Sequence, residues 1–88
     1  MTSYPEVTMG FVYGKDYTVY DHGGDLLGTI IGDEFIRSKA NELLCRIDGE
    51  EIYSLDIPCK LLGFMDGLHG KSIDGSILFT LESESSSK

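Results

Sequence analysis

Apolar residues in this chain come in short bursts separated by polar turns, and the bursts recur. Met9-Gly10-Phe11-Val12-Tyr13-Gly14 is echoed by Leu27-Gly28-Thr29-Ile30-Ile31-Gly32. Weaker copies begin at Leu44, Leu62 and Leu78, so the step is 16 to 18 residues. A near-constant step of this size marks a small structural unit that is arrayed several times. Between these glycine-containing segments lies a second set of short runs, near residues 17–20, 35–38, 52–55 and 69–73. The glycine-containing set falls near 9–13, 26–31, 43–47, 61–65 and 77–81. Each run is rich in Ile, Val, Leu, Tyr or Phe and is bounded by Gly, Asp, Asn or Pro, which is the signature of a strand. Phe35 to Ile47 also fits helical spacing, but the repeat register assigns it to two strands with a turn at Asn41.

The turns form two classes. The first follows each glycine-containing strand: Gly14-Lys15-Asp16, Gly32-Asp33-Glu34, Asp48-Gly49-Glu50-Glu51 and Asp66-Gly67. Gly at these points supplies the positive φ that tight hairpins need. The second class reads Asp21-His22-Gly23-Gly24, Ser38-Lys39-Ala40-Asn41, Asp56-Ile57-Pro58-Cys59 and Ser72-Ile73-Asp74-Gly75. Asp or Ser opens these turns because a short side-chain oxygen can accept from backbone N–H groups ahead of it. Gly or Asn closes three of the four, and Pro58 is expected to fix the turn ending at Cys59 by another route.

Strand, short turn, strand throughout predicts an all-β fold: an antiparallel meander of about four β-hairpin repeats, closed with approximate four-fold symmetry. Closure removes the open edges that a short flat meander would leave. The fifth glycine-containing segment, Met9–Tyr13, is expected to pair with one end of the array and help seal it. Residues 1–8 read as a loose N-terminus, 9–81 as one domain, and 82–88 as a disordered polar tail.

The unit Val19-Tyr20-Asp21-His22-Gly23-Gly24-Asp25-Leu26-Leu27-Gly28-Thr29-Ile30, echoed at Ser54-Leu55-Asp56 and Leu62-Gly63-Phe64-Met65, resembles the repeat of the four-fold beta-flower domain, a small bacterial family. The resemblance covers residues 9–81 and implies hairpins set around a pseudo-four-fold axis. The second unit departs from the family pattern at Arg37-Ser38 and Leu44-Cys45, and the fourth at Lys71-Ser72 and Leu78-Phe79, so the implied symmetry is approximate. No catalytic residue of the family transfers to this chain.

With 88 residues there is room for one domain with a modest core. The net charge of −8 disfavours direct nucleic-acid contact and anionic membranes. No apolar run approaches a membrane span, and the first residues lack the pattern of a signal peptide, so a cytoplasmic address is expected. Cys45 and Cys59 match no metal or redox spacing. Cys45, standing where other units have a strand glycine, is expected to pack as a small apolar group, and Cys59 to be the more exposed of the two. His22 falls in a second-class turn and His69 begins a strand close after a first-class turn, so the two are expected at opposite ends. No catalytic, metal or phosphate-binding motif is present, and no cofactor is expected.

If the array closes, the first-class turns share one end and gather Asp33, Glu34, Asp48, Glu50, Glu51 and Asp66, with only Lys15 against them. That acidic pole predicts a non-enzymatic protein-binding module that docks on, and inhibits, a basic partner protein. The plain alternative is that turns favour Asp and that charge blocks edge-to-edge aggregation. A different reading takes Tyr13, Tyr17, Tyr20 and Tyr53 as the lining of a small-molecule or carbohydrate site along the repeat axis. High salt weakens the first kind of binding and spares the second, and reversing Glu50 and Glu51 to Lys should abolish the first alone. Apolar residues on both faces of the strands also raise self-association as a further expectation.

Overall fold

Eight of the nine expected segments are strands: β1 (Tyr17–Asp21), β2 (Leu26–Ile30), β3 (Phe35–Ser38), β4 (Leu43–Asp48), β5 (Glu51–Tyr53), β6 (Leu61–Asp66), β7 (His69–Ser72) and β8 (Ile77–Ser83). They are seen in a computed structural model that describes residues 10–83. Every strand pairs antiparallel with its neighbours in sequence, and β1 pairs with β8, so the meander closes into a barrel. There is no helix among the described residues. The segment from Phe35 to Ile47 divides into β3 and β4 around Asn41, whose φ is 67°.

The sealing strand expected at Met9–Tyr13 is not formed over residues 10–13, and Met9 lies outside the described residues. The physical reason is that β8 is long. Its seven residues pair with β7 on one side and, from Tyr17↔Ser83 to Asp21↔Phe79, with β1 on the other, leaving no edge for a ninth strand. Gly10 to Asp16 lie instead against one end of the barrel. The Phe11 ring packs 5.5 Å from the ring of Tyr17, and the Val12 N–H donates to the Tyr17 hydroxyl at 2.9 Å. β8 also continues through Glu82 and Ser83, two residues beyond the expected domain limit. The expected loose N-terminus (1–8) and the rest of the expected tail (84–88) lie outside the described residues.

The repeated leucine has a structural meaning. Val19 pairs with Gly28 and Tyr20 with Leu26, so Leu27 is an extra residue in the ladder. Leu44, Leu62 and Leu78 occupy the same position in the next three hairpins. A bulge of this kind bends and twists its strand. Four of them, one per hairpin, supply the curvature that closes so small a barrel.

The second-class turns repeat as well. Asp21 accepts from the Gly23 and Asp25 N–H groups through Oδ1. Ser38 Oγ does the same for Ala40 and Glu42. In both, the opening residue also accepts a backbone bond three residues on, from Gly24 or Asn41. Ser72 and Gly75 repeat this backbone bond. In the third turn the opening residue is Ser54, two positions earlier than expected, and its Oγ accepts from Asp56 and Lys60. That loop is two residues longer than the others, contains a cis Ile57–Pro58 peptide, and has no residue of positive φ. The extra length explains why the leucine step stretches to 18 residues and then shrinks to 16.

Inside the barrel, four cross-strand pairs form one layer: Val19–Gly28, Ile36–Cys45, Ile52–Gly63 and Gly70–Phe79. All eight residues are buried. Each pair sets a large side chain against a small one or none, which is how a narrow eight-stranded interior is filled without voids. Tyr17, Ile30, Ile47 and Leu81 form a second buried layer toward the Phe11 end, with Met65 partly buried beside them. Gly28 and Gly63 are required by close approach. A Cβ on Gly28 would stand 1.7 Å from the Arg37 carbonyl oxygen, and one on Gly63 would stand 1.8 Å from that of Lys71.

Candidate functional site

The first-class turns do gather at one end, hereafter the base, and the second-class turns form the opposite tip. Three of the base turns are fixed by the same backbone clasp onto the next even-numbered strand. Ile47 N–H donates to Glu34, Met65 N–H to Glu50, and Leu81 N–H to Leu68, all at 2.8–2.9 Å. The carbonyls that receive these bonds place Glu34 and Glu50 on the base rim.

The six predicted carboxylates therefore share an end, but Lys15 is not alone against them. Asp33 accepts from Arg37 Nη2 at 2.8 Å and Nη1 at 3.2 Å, and from the Phe35 N–H at 2.9 Å. The Arg37 bond is the main reason its carboxyl sits below the usual carboxylate range. Glu34 pairs with Arg46 at 2.9 Å, and the same guanidinium lies 3.6 Å from Asp48. Lys71 pairs with Asp66 at 2.8 Å and lowers its pKa. Glu51 accepts from the Tyr53 hydroxyl at 2.5 Å, which raises the tyrosine's pKa. Among the described residues, Glu50 is the member of the six whose carboxylate has no bonded partner.

The expectation of an uncompensated pole is thus corrected. Arg37, Arg46 and Lys71 lie within strands, and their outward side chains are long enough to reach the base rim. Lys71 sits near the tip end of β7, and its Nζ still reaches Asp66. A sequence reading that assigns each charge to the end nearest its own backbone misses this reach.

One pocket of about 280 Å³ opens at the base, lined by Phe11, Tyr13, Glu34, Ile47, Asp48 and Gly49. Tyr13 is 67% exposed and Asp48 is exposed, so the mouth is wet. Phe11 and Ile47 belong to the wall, and both also pack on or within the core. Gly49, with φ 66°, makes the tight turn that brings Asp48 and Glu50 to the rim. Sequence reasoning named Tyr13, Glu34 and Asp48 but not Phe11 or Ile47. The apolar run around Phe11 was visible, but its reading as a strand hid its place at the mouth.

The four tyrosines are not brought together. Tyr17 is buried in the core, while Tyr20 and Tyr53 alternate away from it and are half-buried. The axis is filled by the buried side chains of the two core layers, so a site along it is excluded by packing. Of the four, Tyr13 is the one that lines the base pocket. Strand alternation turns Tyr17 and Val19 inward and Thr18 and Tyr20 away from the core.

The remaining chemistry-bearing residues stay apart. His22 is exposed at the tip, whereas His69 starts β7 at the base with Nδ1 3.0 Å from Thr80 Oγ1. Cys45 is buried beside Ile36, and burial pushes its thiol up to about 11. Cys59 is exposed, and both cysteines are free. Among the described residues no three His, Cys, Asp or Glu side chains converge as a metal site. No helix among them is long and apolar enough to cross a membrane. No family model matches the chain, and no curated protein or solved structure matches it either.

Proposed function

We propose that this protein is a non-enzymatic binding module whose base pocket receives a lysine or arginine side chain from a basic partner protein, and that occupancy inhibits the partner. The supporting observation is the pocket's composition: Phe11, Tyr13 and Ile47 beside the carboxylates of Glu34 and Asp48. A basic side chain has an apolar stem that suits aromatic and aliphatic walls, and a cationic head that suits carboxylates and ring faces. Arg46, already bonded to Glu34, is the intramolecular cation that an incoming head would displace or join. The surrounding acidic rim favours encounter with a positively charged surface, an effect that salt suppresses. A reducing cytoplasmic setting fits a chain with one exposed free thiol.

The test is an NMR titration with a lysine- and arginine-rich peptide at low and high salt. The expected result is shifts centred on Tyr13, Ile47, Asp48 and Gly49, with binding weakened by salt and by Asp48→Asn. Peptide binding that ignores Asp48→Asn, or shifts spread evenly over the surface, refutes the pocket. The exposed Tyr13 ring beside Phe11 also favours a second reading, a small aromatic-stacking ligand such as a sugar, whose binding is insensitive to salt.

A further inference from the structure

We propose that two copies of this chain associate through an apolar face on the second and third hairpins, at the tip, leaving both base pockets facing outward. The four bulge leucines are equivalent by repeat but not by environment. Leu27 and Leu78 pack against the core, whereas Leu44 and Leu62 are 40% and 37% exposed. Their neighbours Leu43 and Leu61 are 49% and 37% exposed, and Leu55 and Ile57, in the loop between β5 and β6, are 36% and 99% exposed. The six are close in the fold. Leu43 and Leu44 begin β4, Leu61 and Leu62 begin β6, these two strands flank β5, and Leu55 and Ile57 lie in the loop that joins β5 to β6.

Their exposed area is on the order of 500 Å², a size at which a surface patch is commonly an interaction site. A standard interface takes about 800 Å² from each partner, so this patch supplies roughly three-fifths of one. That share is close to the ~65% apolar content of homodimer interfaces.

Charge selects a second copy as the occupant. The chain carries −8 overall, and its base rim is acidic. The charged residues next to these six along the chain, however, are Lys39, Glu42, Asp56 and Lys60, two of each sign. Two copies can meet there without net repulsion. A two-fold interface is self-complementary, so each Lys is offered to a carboxylate of the other copy and the reverse. A basic partner has no electrostatic reason to prefer this face.

The test is sedimentation equilibrium of the whole chain from about 5 to 500 µM, against a monomer mass of 9.7 kDa. The wild type is expected to reach a dimer and stop there. Ile57→Asp, at a fully exposed position where folding is not at stake, is expected to raise the dissociation constant at least about tenfold. Lys60→Glu should weaken the dimer too, and Tyr13→Ala, at the other end, should leave it unchanged. A wild type that stays monomeric throughout overturns the proposal. So does an Ile57→Asp variant that dimerises as the wild type does, a Tyr13→Ala variant that dissociates, or growth beyond two copies. Because Tyr13 and Ile57 lie at opposite ends, failure of the dimer leaves the base pocket untouched, and failure of the pocket leaves the dimer.

Discussion

The ring of Phe79 stands where the side chain of Gly70 would be: a Cβ built on Gly70 falls 2.4 Å from the Phe79 Cζ. The pair faces inward across β7 and β8 at the position where the third hairpin sets Ile52 against Gly63. The last repeat has therefore inverted the large and small partners while keeping the layer filled. Gly70→Ile alone drives a side chain into the ring and should cost about 3 kcal/mol or more, since overpacking a tight core forces backbone movement. Phe79→Gly alone leaves a cavity and should cost about 3–5 kcal/mol. Combined, they recreate the Ile–Gly arrangement of the third hairpin, so the double variant should be more stable than the two losses predict. Urea unfolding of all four proteins measures the coupling, and simple additivity rules out the volume exchange.

Gly28 and Gly63 test a different constraint. Their missing side chains leave room for a neighbouring carbonyl, not for a ring that can turn. Gly28→Ala should cost about 3 kcal/mol or more, with no single compensating substitution, because the obstacle is backbone. Hydrogen exchange should then show loss of protection first at the β2–β3 contact. Equal protection in Gly28→Ala and wild type contradicts the close approach.

Arg46 links the fold to the proposed function. It pairs with Glu34, approaches Asp48, and lies 5.3 Å from the Tyr53 ring centroid. Arg46→Met keeps length but removes the internal cation, so the melting temperature should change little while a basic peptide binds more tightly. Calorimetric titration decides this: weaker binding by Arg46→Met means that the guanidinium helps to build the site and does not compete for it.

The acid limb of stability should follow three carboxyls. Asp33, Asp66 and Asp74 all have lowered pKa values in the folded state, through Arg37, Lys71 and the Ser72 hydroxyl respectively. Asp74 is held at about 2. A carboxyl with a depressed folded pKa contributes its stability above the unfolded value, near 4, and loses it as pH falls through the folded value. The melting temperature should be level from neutral pH to about 5 and drop below about 4. Asp74→Asn should remove part of the lowest portion of that drop, and an unchanged acid profile contradicts the assignment.

The two thiols should separate by rate. Cys59 is exposed, whereas Cys45 is buried with its pKa near 11. At pH 8 the thiolate fraction of Cys45 is on the order of one in a thousand even before access is considered. A thiol reagent should titrate one group in the native protein and two in denaturant. Two fast native thiols show that the barrel opens around Cys45.

Much of this molecule is legible along the chain because its interactions are local. Two-residue alternation at Tyr17 to Tyr20 sets which side chains go inward, and Asp21, Ser38, Gly49 and Asn41 carry their turns within a few bonds of themselves. The leucine before Gly28, Cys45, Gly63 and Phe79 marks each bulge, although only the register shows that it is one. Pairing between distant segments has no such local trace. The join of β1 to β8 depended on β8 running to Ser83, and it left the Phe11 segment to lie against the base. Three long cations reached back to carboxylates that appeared free, because charge pairing follows side-chain reach in space and not position in the chain. The exchange at Gly70 and Phe79 is non-local for the same reason: a core layer conserves total volume, and either member of a facing pair can supply it.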